Sequence, residues 1–256
     1  MKKLSLLILM TLFIVTYNFA QKTYAIIGFH KLEPGHTMQE AMANEKEWRL
    51  VHQARKDAGI ITNWAIFSVY GGYKTKDVDF DYISVNYGTD LDKMNNGPAN
   101  FTENFMKANP SYSDIFERTS KIQKIIRQVV NVSEAIVGDF QPNQLIVFES
   151  MKVEPKNNTA YREFEKTMAK VQEDRVKAGI ITRWSCWRQL IPAMYNGSTY
   201  FSTTNAYPNY ASMEKGGYTD ESAKKHFGMS ASEVGNKAAT LRSIETSWLG
   251  SLAVKL

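Results

Sequence analysis

The sequence is poor in the groups that most often announce a chemistry. It holds one cysteine, Cys186, and four histidines, His30, His36, His52 and His226. A lone cysteine excludes an internal disulfide. With no histidine near it in sequence, its thiol reads as a small buried apolar group. No pair of histidines has the short helical spacing of a zinc site, and no acidic cluster accompanies them, so no metal and no other cofactor is expected. The sequence lacks a Gly-x-Ser-x-Gly elbow, an ordered triad and a phosphate-cradling glycine loop. Lysine and arginine never run in a block of five or six and the formal net charge is only +5, so nucleic-acid binding has no support.

What is present is a globular composition, 43% hydrophobic and 12% aromatic, too apolar for disorder and able to build a core rich in Tyr, Phe and Trp. The first twenty residues stand apart: Lys2 and Lys3, an apolar run from Leu4 to Val15, then Tyr17-Asn18-Phe19-Ala20 before Gln21. This is the layout of a secretory signal peptide, cut near Ala20. The run is shorter than the roughly twenty residues of a membrane span, so export to the periplasm or medium is expected, without membrane insertion after cleavage. Loss of Lys2 and Lys3 lowers the formal charge from +5 to +3.

The chain is written twice. Ala58-Gly59-Ile60-Ile61-Thr62-Asn63-Trp64 returns as Ala178-Gly179-Ile180-Ile181-Thr182-Arg183-Trp184. Lys31-Leu32-Glu33-Pro34 matches Lys152-Val153-Glu154-Pro155, Asn86 matches Asn205 and Met94 matches Met213. In the first copy, β-prone residues 23–32 end at Glu33-Pro34-Gly35, and a helical pattern runs from Thr37 to Asp57. A strand follows from Ile60 to Tyr70, and an alternating one from Phe80 to Tyr87. Helical stretches from Leu91 to Lys107 and from Ser113 to Arg127 precede a strand from Val129 to Phe140. Gln141-Pro142-Asn143 is the linker; the second copy repeats the order, with a tight turn at Asn196-Gly197. Each copy reads β-α-β-β-α-β, one over 21–141 and one over 142–256, behind a signal peptide at 1–20.

Two such units in tandem resemble a fused pair from the dimeric α/β-barrel superfamily. The resemblance implies an α+β fold: two ferredoxin-like βαββαβ units whose antiparallel sheets face each other and close a barrel within one chain, with helices outside. Both halves being present, a monomer suffices. Members of the superfamily include cofactor-free monooxygenases, haem-degrading enzymes, chlorite dismutases and stress-response proteins, and the fold does not choose among them. The haem-degrading members are associated with an Asn, a Trp and a helical His. Asn86, Trp64 and His226 do not reproduce that pattern in order or placement.

Alternation along the strands sorts core from candidate site. Taking Ala25, Ile27, Phe29, Ile61, Ala65, Phe67 and Val69 as the helix-facing set leaves His30, Trp64, Tyr82, Ser84 and Asn86 to face the barrel. The second copy then offers Glu149, Met151, Trp184, Cys186, Arg188, Thr203 and Asn205, with Glu149 and Arg188 near each other. Glu45, Glu47, Arg49, Arg55 and Lys56 read as a solvated helix face. The leading expectation is a barrel interior that binds a small, partly aromatic or apolar molecule through Trp64, Tyr82, Asn86, Glu149, Trp184, Arg188 and Asn205. The alternatives are a cofactor-free monooxygenase-like enzyme in which His30 manages a proton, and a structural protein with a filled barrel. His30 also reads as a hydrogen-bonded strand-end residue.

Overall fold

The computed structural model describes residues 22–98, 100–193 and 197–256. The expected signal segment, and Asn196 of the expected tight turn, lie outside the described residues. Strand β1 (Tyr24–Leu32) runs into a turn, and Thr37 caps the long helix α1 (Met38–Asp57). Its hydroxyl accepts from the Glu40 amide at 3.2 Å while the Glu40 carboxylate accepts from the Thr37 amide at 2.6 Å. The repeated Ala-Gly ends the long helix in both halves. Gly59 and Gly179 each sit at φ +68°, where an L side chain is strained, and their amides donate to Lys56 and Val176.

The first half continues with β2 (Asn63–Lys74), β3 (Tyr82–Gly88), helices α2 (Leu91–Asn96), α3 (Phe101–Ala108) and α4 (Ile115–Ile122), and β4 (Gln123–Gly138). The second has β5 (Leu145–Val153), the long helix α5 (Asn158–Lys177), β6 (Arg183–Ile191), β7 (Thr199–Tyr207), helices α6 (Tyr210–Glu214), α7 (Asp220–Phe227) and α8 (Ala231–Leu241), and β8 (Ser243–Lys255). Helix α4 is shorter than its sequence pattern and β4 starts earlier, because Gln123 to Arg127 pair with β1 instead of continuing the helix. All eight strands close an antiparallel barrel in the order β1-β3-β2-β8-β5-β7-β6-β4. Within each half the order is fourth-first-third-second, and the seams β2–β8 and β4–β6 join the halves.

The interior of this barrel is where the sequence reading needs correction. Ala25, Ile27, Phe29, Ala65, Phe67, Ile83 and Val85 meet Ile146, Phe148, Trp187, Ala206 and Trp248 in one core drawn from both halves, so the set assigned to the helices faces inward, except Ile61, which packs with Ala41 as expected. Trp64, Tyr82 and Ile26 pack with Ala41 of α1, and Trp184, Cys186 and Phe201 pack with Tyr161, Phe164 and Met168 of α5, so the set assigned to the barrel faces the helices. Over the middle of the sheets both strand faces are covered, one by the inner core shared by the two halves and one by helices. Alternation therefore yields two apolar sets without saying which is inside. The middle of the barrel interior is tightly packed. Side chains fill it down to a cavity of about 30 Å³, room for one or two waters.

Candidate active site

The space between each sheet and its long helix is lined by corresponding residues. In the first half Glu45 is buried and accepts from the Tyr82 hydroxyl at 2.6 Å and the Gln123 amide at 2.8 Å. Arg55 donates to Asn86 at 2.9 Å, and Asn86 lies beside Trp64 across the β2–β3 ladder. The His52 ring stacks on Trp64 with centroids 4.5 Å apart, and Trp48 meets Phe116 edge-on at 4.9 Å. These rings occupy the space over the sheet. A cavity of about 510 Å³ lies beside them toward α2 and α3, and neither Trp64, Tyr82, Asn86 nor Glu45 lines it.

The second half keeps the polar frame and loses the filling. Arg175, aligned with Arg55, donates to Asn205 at 3.1 Å, Gln172 at 2.8 Å, the Tyr207 hydroxyl at 3.2 Å and the Gly216 carbonyl at 3.1 Å. Asn205 lies beside Trp184 as Asn86 lies beside Trp64. Lys31 pairs with Lys124 and Lys152 with Ser243 in corresponding registers, which aligns Gln123 with Arg242 and Phe116 with Gly235. Met168 and Gln172 stand where Trp48 and His52 do. With two rings shortened and one removed, a cleft of about 540 Å³ opens between β5, β6 and β7 below and α5 and α8 above. Glu149, Glu165, Trp184, Asn205 and Arg242 all line it.

Glu165, aligned with Glu45, is the chemically tuned group. It is 3% exposed, and desolvation raises its pKa to about 7 against the opposing pull of a Tyr161 hydrogen bond and the Arg242 charge, with Glu149 adding to the rise. Arg175 is committed to four partners, whereas Arg242 makes no ion pair among the described residues and its Nε lacks a hydrogen-bond partner. The cleft thus combines a carboxyl able to hold or release a proton at neutral pH, a flat aromatic surface and an uncommitted cation. Cys186 beneath it is fully buried and burial pushes its thiol well up, which leaves it inert.

Of the sequence candidates, Glu149, Trp184 and Asn205 come together in this cleft. Trp64, Tyr82 and Asn86 come together in the filled counterpart. Arg188 does not join Glu149, because β7 separates their strands; it pairs instead with Glu134 at 2.7 Å, which Arg162 also meets at 3.0 Å. His30 is 6% exposed, stacked on Tyr82 at 4.4 Å and hydrogen-bonded to Ser84 at 2.8 Å, and burial lowers its pKa to about 4. The ring lies over Gly28, where a Cβ would come within 3.1 Å of its Nε2, so this is a packed residue away from either cleft. Glu165, Arg175 and Arg242 were missed, and the duplicated Glu45 and Arg55 were misassigned to a solvated face. Their exact 120-residue recurrence was the signal that could have singled them out.

No protein-family model matches the chain, and no curated protein sequence matches it. Solved structures do. A candidate monooxygenase from Fusobacterium nucleatum aligns with TM-score 0.55 at 11% identity over 91% of this chain and 94% of that one. An anthrone oxidase-like protein aligns with TM-score 0.51 at 10% identity over 92% and 93%. A variant chlorite dismutase from Candidatus Nitrospira defluvii aligns with TM-score 0.50 at 8% identity over 90% and 91%. The likeness is one of fold: the chain has the closed eight-stranded barrel of the dimeric α/β-barrel proteins, with both halves in one polypeptide. Haem, raised by that resemblance, does not fit the open cleft. No imidazole or thiolate lines it, and His226 is turned to Asp174 at 2.9 Å.

Proposed function

We propose that this protein is an enzyme that moves a proton on a small, flat, weakly acidic organic molecule bound in the cleft of the second half. The observation that carries the reading is Glu165, a buried carboxyl with its pKa raised to about 7, sharing an open cavity with Trp184 and the uncommitted Arg242. A base half-ionised near neutrality can take a proton and return it. Arg242 offsets the negative charge that develops on the substrate. Trp184 offers a face for an unsaturated ring. Arg175 and Asn205 hold the floor through the hydrogen bonds that also stand in the closed copy.

The test is hydrogen–deuterium exchange of phenols, 1,3-diketones and aryl ketones in heavy water with the mature protein. Exchange should fall about 100-fold in Glu165→Gln while binding of the same compound changes little. Undiminished exchange in that variant would remove Glu165 from the chemistry. A second reading, cofactor-free oxygenation, is favoured by neighbours described as a candidate monooxygenase and as anthrone oxidase-like. Deprotonation would give a carbanion that reduces dioxygen; a ring methylene becomes a carbonyl and its two hydrogens leave as water. Oxygen uptake that depends on both substrate and Glu165 separates this from simple proton exchange.

A further inference from the structure

At one end of the filled barrel a separate cavity of about 350 Å³ opens, sharing no lining residue with the second-half cleft. Its floor is aromatic. Phe148 stacks on Trp248 at 5.1 Å, and Phe80 meets Trp248 edge-on at 6.2 Å and Phe29 at 4.8 Å. Three residues that line it, on three different strands, each carry a buried polar atom without a hydrogen-bond partner: Trp248 Nε1 on β8, Ser202 Oγ on β7 and Asn131 Oδ1 on β4. These residues are only 2%, 5% and 4% exposed. Leaving a buried polar group unpaired costs about 1–3 kcal/mol, and native proteins carry few such groups. Three around one cavity mark a place where something else completes the bonds.

The three atoms also define what that is. Trp248 offers a donor, Asn131 an acceptor and Ser202 either, which together match a hydroxyl group. Charge points the same way. The one cation lining the mouth, Arg127, is laid over the Phe29 ring at 3.9 Å, while Asp77 and Glu245 stand on the rim against an anion. We propose that the barrel mouth binds a small uncharged aromatic alcohol or phenol. Its ring rests on the Phe148–Trp248 floor and its hydroxyl accepts from Trp248 and donates to Asn131. The cavity is at the lower end of the size range of small-ligand sites, about 300–1,000 Å³.

The test follows the indole N–H signal of Trp248 by NMR in the mature protein, assigned through its loss in Trp248→Phe, during titration with 4-methylphenol, toluene, 4-methylbenzoate and 4-methylbenzylamine. The phenol should shift that signal and bind about tenfold or more tightly than the other three. Ser202→Ala and Asn131→Leu should each weaken the phenol about tenfold and leave toluene unchanged. Both should also raise the melting temperature, since each removes an unpaired buried group. The proposal is overturned if the phenol leaves the Trp248 signal in place or binds no better than toluene. It is equally overturned if both variants lower the melting temperature without weakening the phenol, which would assign the orphaned atoms to structural water. Dependence on Arg242 instead of Asn131 would place the phenol in the second-half cleft and overturn it too.

Discussion

Glu165 ties acid–base chemistry to stability through one side chain. Its pKa is about 7 in the fold against 4.5 ordinarily, so the unfolded chain releases the proton first and stability falls as pH rises from 4.5 to 7. Glu45 is shifted in the same direction, by burial. Glu165→Gln should therefore be about 2–4 kcal/mol more stable than the wild type at pH 8 and nearly equal to it at pH 4. Urea unfolding at the two pH values checks this, and an equal difference at both would contradict it. Buried His30 and His52 act in the opposite sense. Burial lowers the pKa of His30 to about 4 and that of His52 to about 3, the latter with help from Arg55. Stability from both is present above pH 6.5 and lost as pH falls below it. His52→Gln places in the first half the residue found at Gln172, and it should flatten the acid limb of the stability profile measured between pH 7 and pH 4.

At the scale of elements, the last helix of each half decides whether a cleft is open. Phe116 on α4 packs against Trp48 over the first, and Gly235 on α8 leaves the second without such a ring. A Cβ at Gly235 meets nothing within 4 Å. Gly235→Phe should therefore fill the second cleft and abolish small-molecule binding there, as calorimetry would show, with the melting temperature held or raised. Gly179→Ala, at φ +68°, should cost about 1 kcal/mol with no effect on binding. The elements themselves were legible: the recurring Ala-Gly is a helix end, and the Ile-Ile-Thr after it leads into a strand. Sidedness was not, since Ile26 and Ile66 are as apolar as Ile27 and Phe67 and both pairs are buried. Trp184, Asn205 and Glu149 were found because polar and aromatic residues interrupt a strand face. Glu165 was hidden because a charged residue on a helix reads as solvated until the partner that covers it is known, and Arg242 because it stands in the junction between α8 and β8.

At the scale of the molecule, duplication explains both the frame and its asymmetry. The inner core draws residues from every strand, so neither half has an inner core of its own. Residues 22–141 produced alone should dimerise or aggregate, as light scattering would report, since one sheet face would meet water. We propose that residues 1–20 direct export; mass spectrometry of protein recovered from outside the cytoplasm should then find Gln21 as its first residue, and an intact Met1 would contradict this. One half packs the Glu, Asn and Trp of the frame away from its cavity while the other lines its cleft with them, and the proposed function rests on that difference. A crystallographic screen of the mature protein against small aromatic and enolisable fragments tests it most directly. Fragments should bind between Trp184, Glu165 and Arg242, with the Trp64 and Glu45 space of the first half closed in every crystal. Fragments settling under α1 against Trp64, with the second cleft empty throughout, would contradict it.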